Sequence, residues 1–341
     1  MKKIYFFFLI AAAVLLKPAA AQEQIDSIKF FEEQSVVNLT IETDLKDLLG
    51  KRQNERFIPA TVTMAFEDGT HITEQIKLSV RGIFRKENCF MPGLRLDFHN
   101  PTSPRLYKLD KLKLVCGCSQ GAANEQLVLR EYIAYKVFNQ LTEISFRVRL
   151  ANITFKDASG KRKPYTQHGF FIEDVDMMAK RNGMKEFENP ITTQEITNRD
   201  QITLVSIFQY FLGNTDWSVP NYHNVKLIKK EGENERPYAV PYDFDICGFV
   251  DPPYATIDER FNIETVRERL YRGFARPMEE LQKIVKLYNE KKDAIYNLYN
   301  SFTLLDSKSK SWLIKFTDDF YKTINDSRSV QRIFIDETRT N

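Results

Sequence analysis

The hydrophobic period of this chain changes near residue 120, and that change limits the folds open to it more than any other feature. From about 35 to 115, the segments VVNLTIETD, PATVTMAF, EQIKLSV, LRLDF and LDKLKLV alternate apolar with polar residues. This is the two-residue period of antiparallel strands with one buried face. Turn clusters such as Glu67-Asp68-Gly69 separate them. Over 123–141, ANEQLVLREYIAYKVFNQL moves to helical spacing: Leu127, Leu129, Ile133, Val137 and Phe138 can share a face, with Asn124 placed to cap the start. Strands return in SFRVRLANITF and HGFFIEDVD, flanking the hairpin KDASGKRKPYTQ. Helices are expected around MMAKRNG, over 198–213, and as long amphipathic stretches at 275–303 and 309–326. Strands, helix, strands, helix, hairpin and helices in that order indicate an α+β, two-lobed chain with its cleft between the lobes.

The first residues predict export. MKK is a short basic start, IYFFFLIAAAVLL an apolar core, and Ala19-Ala20-Ala21 a small-residue cleavage site before Gln22. The division expected is a signal peptide over 1–21, a β-rich N-terminal lobe with one long helix over 22–175, and a C-terminal lobe with a hairpin and helices over 176–341. The mature protein would be periplasmic or extracellular, with no transmembrane span left after cleavage.

Cleavage would remove Lys2, Lys3 and Lys17 and no acid, leaving basic and acidic residues equal in number. That balance, without a dense Lys/Arg tract, argues against a nucleic-acid partner; Lys161-Arg162-Lys163 reads as a solvated hairpin tip. Cys89, Cys116, Cys118 and Cys247 would meet an oxidising compartment. A bridge from Cys89 to Cys116 or Cys118 suits the strand layout, and Cys247 is expected to stay free. The set lacks the spacing of a zinc site.

The densest chemistry lies in FLGNTDWSVPNYHNVKLIKKEGENERPYAVPYDFDICG, residues 211–248. Asp216 is followed by Asn221 and Asn224, then two strands joined by a polar turn, then Asp243 and Asp245. Phosphoryl transfer uses one carboxylate to orient a hydroxyl, with an amide and a second carboxylate to hold magnesium. The Asp216-to-Asn221 spacing is that of the kinase catalytic loop, and D-F-D after a hairpin stands where a kinase has D-F-G. The plainer reading of the same residues is a polar loop joining a helix to a hairpin.

Several ordered blocks over roughly 75–250 resemble the CotH family of atypical kinases. They are Val80-Arg81-Gly82 with Arg85, Leu94-Arg95-Leu96-Asp97-Phe98, LREYIAYKVFNQL, GFFIEDVD, NTDWSVPNYHN and VPYDFDICGF. The resemblance implies a protein-kinase-like two-lobed fold that binds ATP with Mg²⁺ or Mn²⁺ and phosphorylates protein hydroxyls, the protein substrate or envelope partner being unknown. It makes Asp216 the catalytic residue, Asn221 or Asn224 and Asp243 metal ligands, and Asp245 an alternate ligand. Glu131 would pair with a phosphate-contacting base, for which Lys113 and Arg95 compete, and Glu173 with Asp174 would stand near the adenine. Two departures stand out: Tyr242 replaces a Trp, and GIFRKENCFMPG lacks the glycines of a phosphate cradle.

Two further readings compete. One is a non-catalytic envelope protein that keeps the fold as a binding surface. The other is a serine hydrolase on Gly117-Cys118-Ser119-Gln120-Gly121, a G-x-S-x-G match between a strand and a helix. Its downstream histidines, His168 and His223, do not give the expected order of acid and base, and the region before it lacks βαβ alternation. Arg81 and Arg85 fit structural ion pairs as well as phosphate contacts.

Overall fold

Strand pairing accounts for most of the N-terminal half. The structure is a computed structural model describing residues 27–338 apart from 54, 55, 108, 191 and 233; the expected signal segment lies outside the described residues. After a short helix α1 (Ser27–Glu32) come β1 (Val37–Thr43), α2 (Leu45–Gly50), β2 (Ile58–Ala65), β3 (His71–Arg81), α3 (Ile83–Asn88), β4 (Gly93–Asp97) and β5 (Lys111–Cys116). The long helix α4 (Ala122–Leu141) precedes β6 (Val148–Asp157) and β7 (Tyr165–Ile172).

These seven strands form a closed barrel in the order β1-β2-β3-β4-β5-β7-β6. Closure comes from β6 returning to β1 in parallel, from Val37 opposite Ala151 to Thr43 opposite Asp157. Closing a sheet removes its edges. The two-residue period then fills the interior: Leu39, Ile41, Val62, Leu78, Leu94, Leu96, Leu112, Leu114, Ile153 and Phe171 share one core.

This corrects the kinase-like expectation. A kinase N-lobe sheet is open, whereas here the first strand is sealed against a partner more than a hundred residues later. The α+β class itself stands, with the strands N-terminal and the helices C-terminal. The strands near closure also differ from the expected one-face burial. Val115, Leu150, Val148, Phe170 and Ile172 point outward from the barrel into a second core, so the end of β5, the start of β6 and the end of β7 are covered on both faces. Between β5 and β7 Gly169 is obligatory in size, because a Cβ there would stand 2.4 Å from the Val115 carbonyl oxygen.

The second core lies around α4. Leu129, Ile133, Val137 and Phe138 of α4 join residues from α5 (Val175–Arg181) and α6 (Arg199–Leu212). Between these helices comes β8 (Lys185–Glu186), which forms a small sheet with β9 (Val225–Lys229) and β10 (Tyr238–Pro241) in the order β10-β9-β8. The helices α7 (Met278–Ser301), α8 (Ser307–Ile324) and α9 (Ser327–Gln331) complete it. Helix α6 begins with Asn198 accepting from the Gln201 N–H and ends on Gly213 in the left-handed region. That sharp stop releases the chain into the Asp216 loop.

Candidate functional site

Three groups of polar residues meet where the outer face of β3–β5 is turned to the second core. The first is a buried ion triad. Arg85 of α3 donates through Nε and Nη2 to Asp245 Oδ2, at 3.1 and 2.9 Å, and through Nη2 to Glu131 Oε2 at 3.3 Å. Its Nη1 donates to the Cys116 carbonyl at 2.8 Å. Burial holds the Glu131 carboxyl well above its usual range, against the pull of Arg85. The guanidinium is held well above its own ordinary value by Asp245 and Glu131, although burial acts the other way.

Asp243 sits beside this triad in a left-handed conformation, φ 62°. Its backbone N–H donates to the Tyr135 hydroxyl at 2.8 Å. Burial, followed by the charge of Asp245, raises its carboxyl, while Arg81 and Arg85 oppose the rise. Tyr135 lies one helical turn beyond Glu131, the i,i+4 spacing that puts two side chains on one face. That spacing was the available signal for a residue the sequence reading overlooked.

The second group is the Asp216 loop. The Asp216 N–H donates to Asn214 Oδ1 at 2.9 Å, His223 Nε2 stands 2.6 Å from Asp216 Oδ1, and Asn224 Nδ2 donates to Asp216 Oδ2 at 3.0 Å. Both Asp216 oxygens therefore have protein partners. Asn224 is buried, and like Tyr222 it has positive φ; Asn tolerates this better than Tyr. Asn221 is exposed, its backbone N–H directed at Ser218 Oγ. The loop borders an open groove of about 1080 Å³ whose walls include Asp216, His223, Asp258, Arg260 and Arg272.

The third group is basic. Ser79, Arg95 and Lys113 lie directly opposite one another across β3, β4 and β5, and Arg81 faces Gly93 in the next row. Gly93 leaves room for Arg81 to lie across its strand: a Cβ there would be 3.3 Å from Arg81 Cγ. The side chains of Arg81, Arg95 and Lys113 have no hydrogen bond or ion pair with any described residue. Lys113 Nζ stands 5.3 Å from the centre of the Tyr242 ring. Burial, then the charge of Arg81, lowers the Lys113 ammonium to about 8, and Asp174 and Asp243 only partly offset this.

The residues singled out in the sequence thus separate. Asp216 and Asn224 meet each other, Glu131 and Asp245 meet through Arg85, and Lys113 stands opposite Arg95. The expected pairing of Glu131 with Lys113 or Arg95 is replaced by its pairing with Arg85. Glu173 is buried at the end of β7 and takes Arg181 on both oxygens, at 3.1 and 3.0 Å, as well as the Arg147 N–H at 3.0 Å. Its hydrogen-bonding capacity is used inside the fold.

This arrangement overturns the expected metal site and, with it, the phosphotransferase, ATP and Mg²⁺ or Mn²⁺ readings. No group of three or more His, Cys, Asp and Glu side chains among the described residues could hold a metal ion. The physical reason is visible in the pairings: Asp245 faces a guanidinium, Asp216 faces an imidazole and an amide, and Asp243 is buried with its carboxyl raised by burial and by Asp245. The G-x-S-x-G segment is also committed elsewhere. Cys118 is bridged to Cys89, and His168 Nδ1 lies 2.6 Å from Glu125. Cys116 and Cys247 are free and buried.

No helix among the described residues is long and apolar enough to cross a membrane. No family model matches the chain, and no curated protein matches it.

Proposed function

We propose that this chain is a non-catalytic binding protein of the cell envelope, and that Arg81, Arg95 and Lys113 receive a ligand carrying oxyanion groups. The observation that carries the reading is the cross-strand pair of Arg95 and Lys113. Like charges directly opposite on one face of a sheet are destabilising, and this pair has no ion-paired carboxylate to offset it. A sulfate, phosphate or carboxylate group would supply the missing charge and raise the Lys113 ammonium back toward its ordinary range. The bridge between Cys89 and Cys118 supports the envelope location, since disulfides persist in oxidising compartments. The CotH-like blocks are taken as a shared sequence ancestry without the family's phosphotransfer.

The test is thermal and calorimetric titration of the chain from Gln22 with sulfate, phosphate and citrate at constant ionic strength. An anion that binds here at ~100 times its dissociation constant should add about 2.7 kcal/mol of stability. Stabilisation that survives in Lys113→Met and Arg95→Gln would place the anion elsewhere, and no stabilisation by any of the three would reject the reading.

A further inference from the structure

One rim of the barrel collects most of the exposed apolar side chains. The register puts the start of β2, the end of β3, the start of β4, the end of β5 and the turn end of the β6–β7 hairpin at the same end. Ile58 pairs with Leu78, Arg81 with Gly93, Cys116 with Gly169 and Phe155 with Tyr165. Of the six large hydrophobic residues exposed among those described, four (Phe57, Ile83, Phe84 and Phe90) stand on this rim. Ile83 is 86% exposed. Phe84 leans on Tyr254, ring centres 5.6 Å apart, and the gathering of exposed apolar side chains at one rim is the pattern of a contact site.

The rim is rigid underneath. Arg85, in the middle of α3, is fixed by Glu131 and Asp245. Cys89 is bridged to Cys118, the Phe90 N–H donates to the Cys118 carbonyl at 2.8 Å, and Arg52 donates to the Cys89 carbonyl at 2.6 Å. Phe90 also packs on Tyr165, ring centres 5.7 Å apart. That contact brings it beside the hairpin tip, where Lys161, Arg162 and Lys163 are all exposed. The nearby carboxylate, Asp157, is occupied by Ser159 Oγ and by the N–H groups of Lys161 and Leu45. The acid left on α3 is Glu87.

From this juxtaposition we infer that the rim docks on the surface of a bilayer carrying anionic headgroups. Ile83, Phe84 and Phe90 would enter the headgroup–acyl boundary, and Lys161, Arg162 and Lys163 would meet the lipid phosphates. Apolar side chains beside a run of bases are what interfacial attachment requires. The rim's helix α3 is short, only Ile83–Asn88, so the contact lies in the interface plane. Charge complementarity favours lipid over a second copy of the chain, whose same rim would bring like charges together.

The experiment is co-sedimentation of the chain from Gln22, without the apolar leader, with vesicles of phosphatidylcholine alone or with roughly one part in three phosphatidylglycerol. The protein should pellet with the anionic vesicles and be released by high salt. Ile83→Asp, and separately Lys161→Gln with Arg162→Gln and Lys163→Gln, should each weaken binding roughly tenfold. Both changes fall on exposed side chains, so an unchanged melting temperature serves as the folding control. Three results would overturn the inference: protein left in the supernatant with both vesicles, variants that pellet like the parent, or a dimer dissolved by Ile83→Asp in a chain that ignores vesicles.

Discussion

Arg85 and Lys113 stand on the same side of the barrel, yet one is among the best-paired cations in the molecule and the other has no ion pair. Arg85 reaches two carboxylates and a carbonyl. Lys113 faces Arg95 across the sheet and stands over the ring of Tyr242. The difference separates two uses of charge. Where the fold supplies its own counter-charge, the group is structural and closes the space a metal would need. Where it withholds one, the uncompensated charge is available to a ligand. Glu173, enclosed by Arg181, and Asp216, held by His223 and Asn224 at the edge of an open groove, both belong to the first kind.

The largest effect should come from breaking the closed side of this comparison. Arg85→Met leaves Glu131 and Asp245 buried without their cation, and loss of one partner from a buried ion pair costs about 3–5 kcal/mol. Urea denaturation at neutral pH should show this loss, and part of it should return on acidification as the raised Glu131 carboxyl takes up a proton. A variant as stable as the parent would mean that the triad does not hold the site together.

On the open side the sign reverses. Lys113→Met should stabilise the ligand-free protein at neutral pH by about 1 kcal/mol, because it removes an ammonium disfavoured first by burial and then by the charge of Arg81. The folded ammonium titrates at about 8, below the ordinary 10.5. Between these values the unfolded chain holds the proton that the folded one has released, so stability of the parent rises with pH across the interval. The advantage of Lys113→Met should therefore shrink over the same interval, as paired denaturation curves would show. An advantage that is independent of pH would contradict the assignment.

The smallest effect belongs to the Asp216 loop. The His223–Asp216 pair is substantially exposed, at 53% and 40% of the two side chains. Exposed ion pairs contribute about 0–1 kcal/mol, so His223→Gln should change stability by less than Arg85→Met and leave anion binding intact. A large loss would move this loop from the groove wall into the structural core.

How much of this was legible in the sequence follows from the range of each interaction. The alternation through PATVTMAF and LKLV is local, so the strands and their inward faces could be read directly. Barrel closure depends on Val37 meeting Ala151, a parallel pairing across α4 that no local period encodes. The Asp216–Asn224 contact lies within one loop and was accessible from spacing. Arg85 meeting Asp245 spans 160 residues, and without it Asp243 and Asp245 read as free ligands. Gly93 could be seen in the sequence, but its use as the floor for Arg81 required the register of β3 with β4.

The most direct test of the account is one variant read in two ways. Arg95→Gln removes half of the unpaired basic row from an outward-facing position on β4. We predict that its ligand-free melting temperature is equal to or higher than that of the parent, and that the rise produced by sulfate or phosphate in the parent is lost or strongly reduced. A variant that is less stable without ligand, yet responds to the same anions as fully as the parent, would show Arg95 to be a structural residue and would contradict the proposed site.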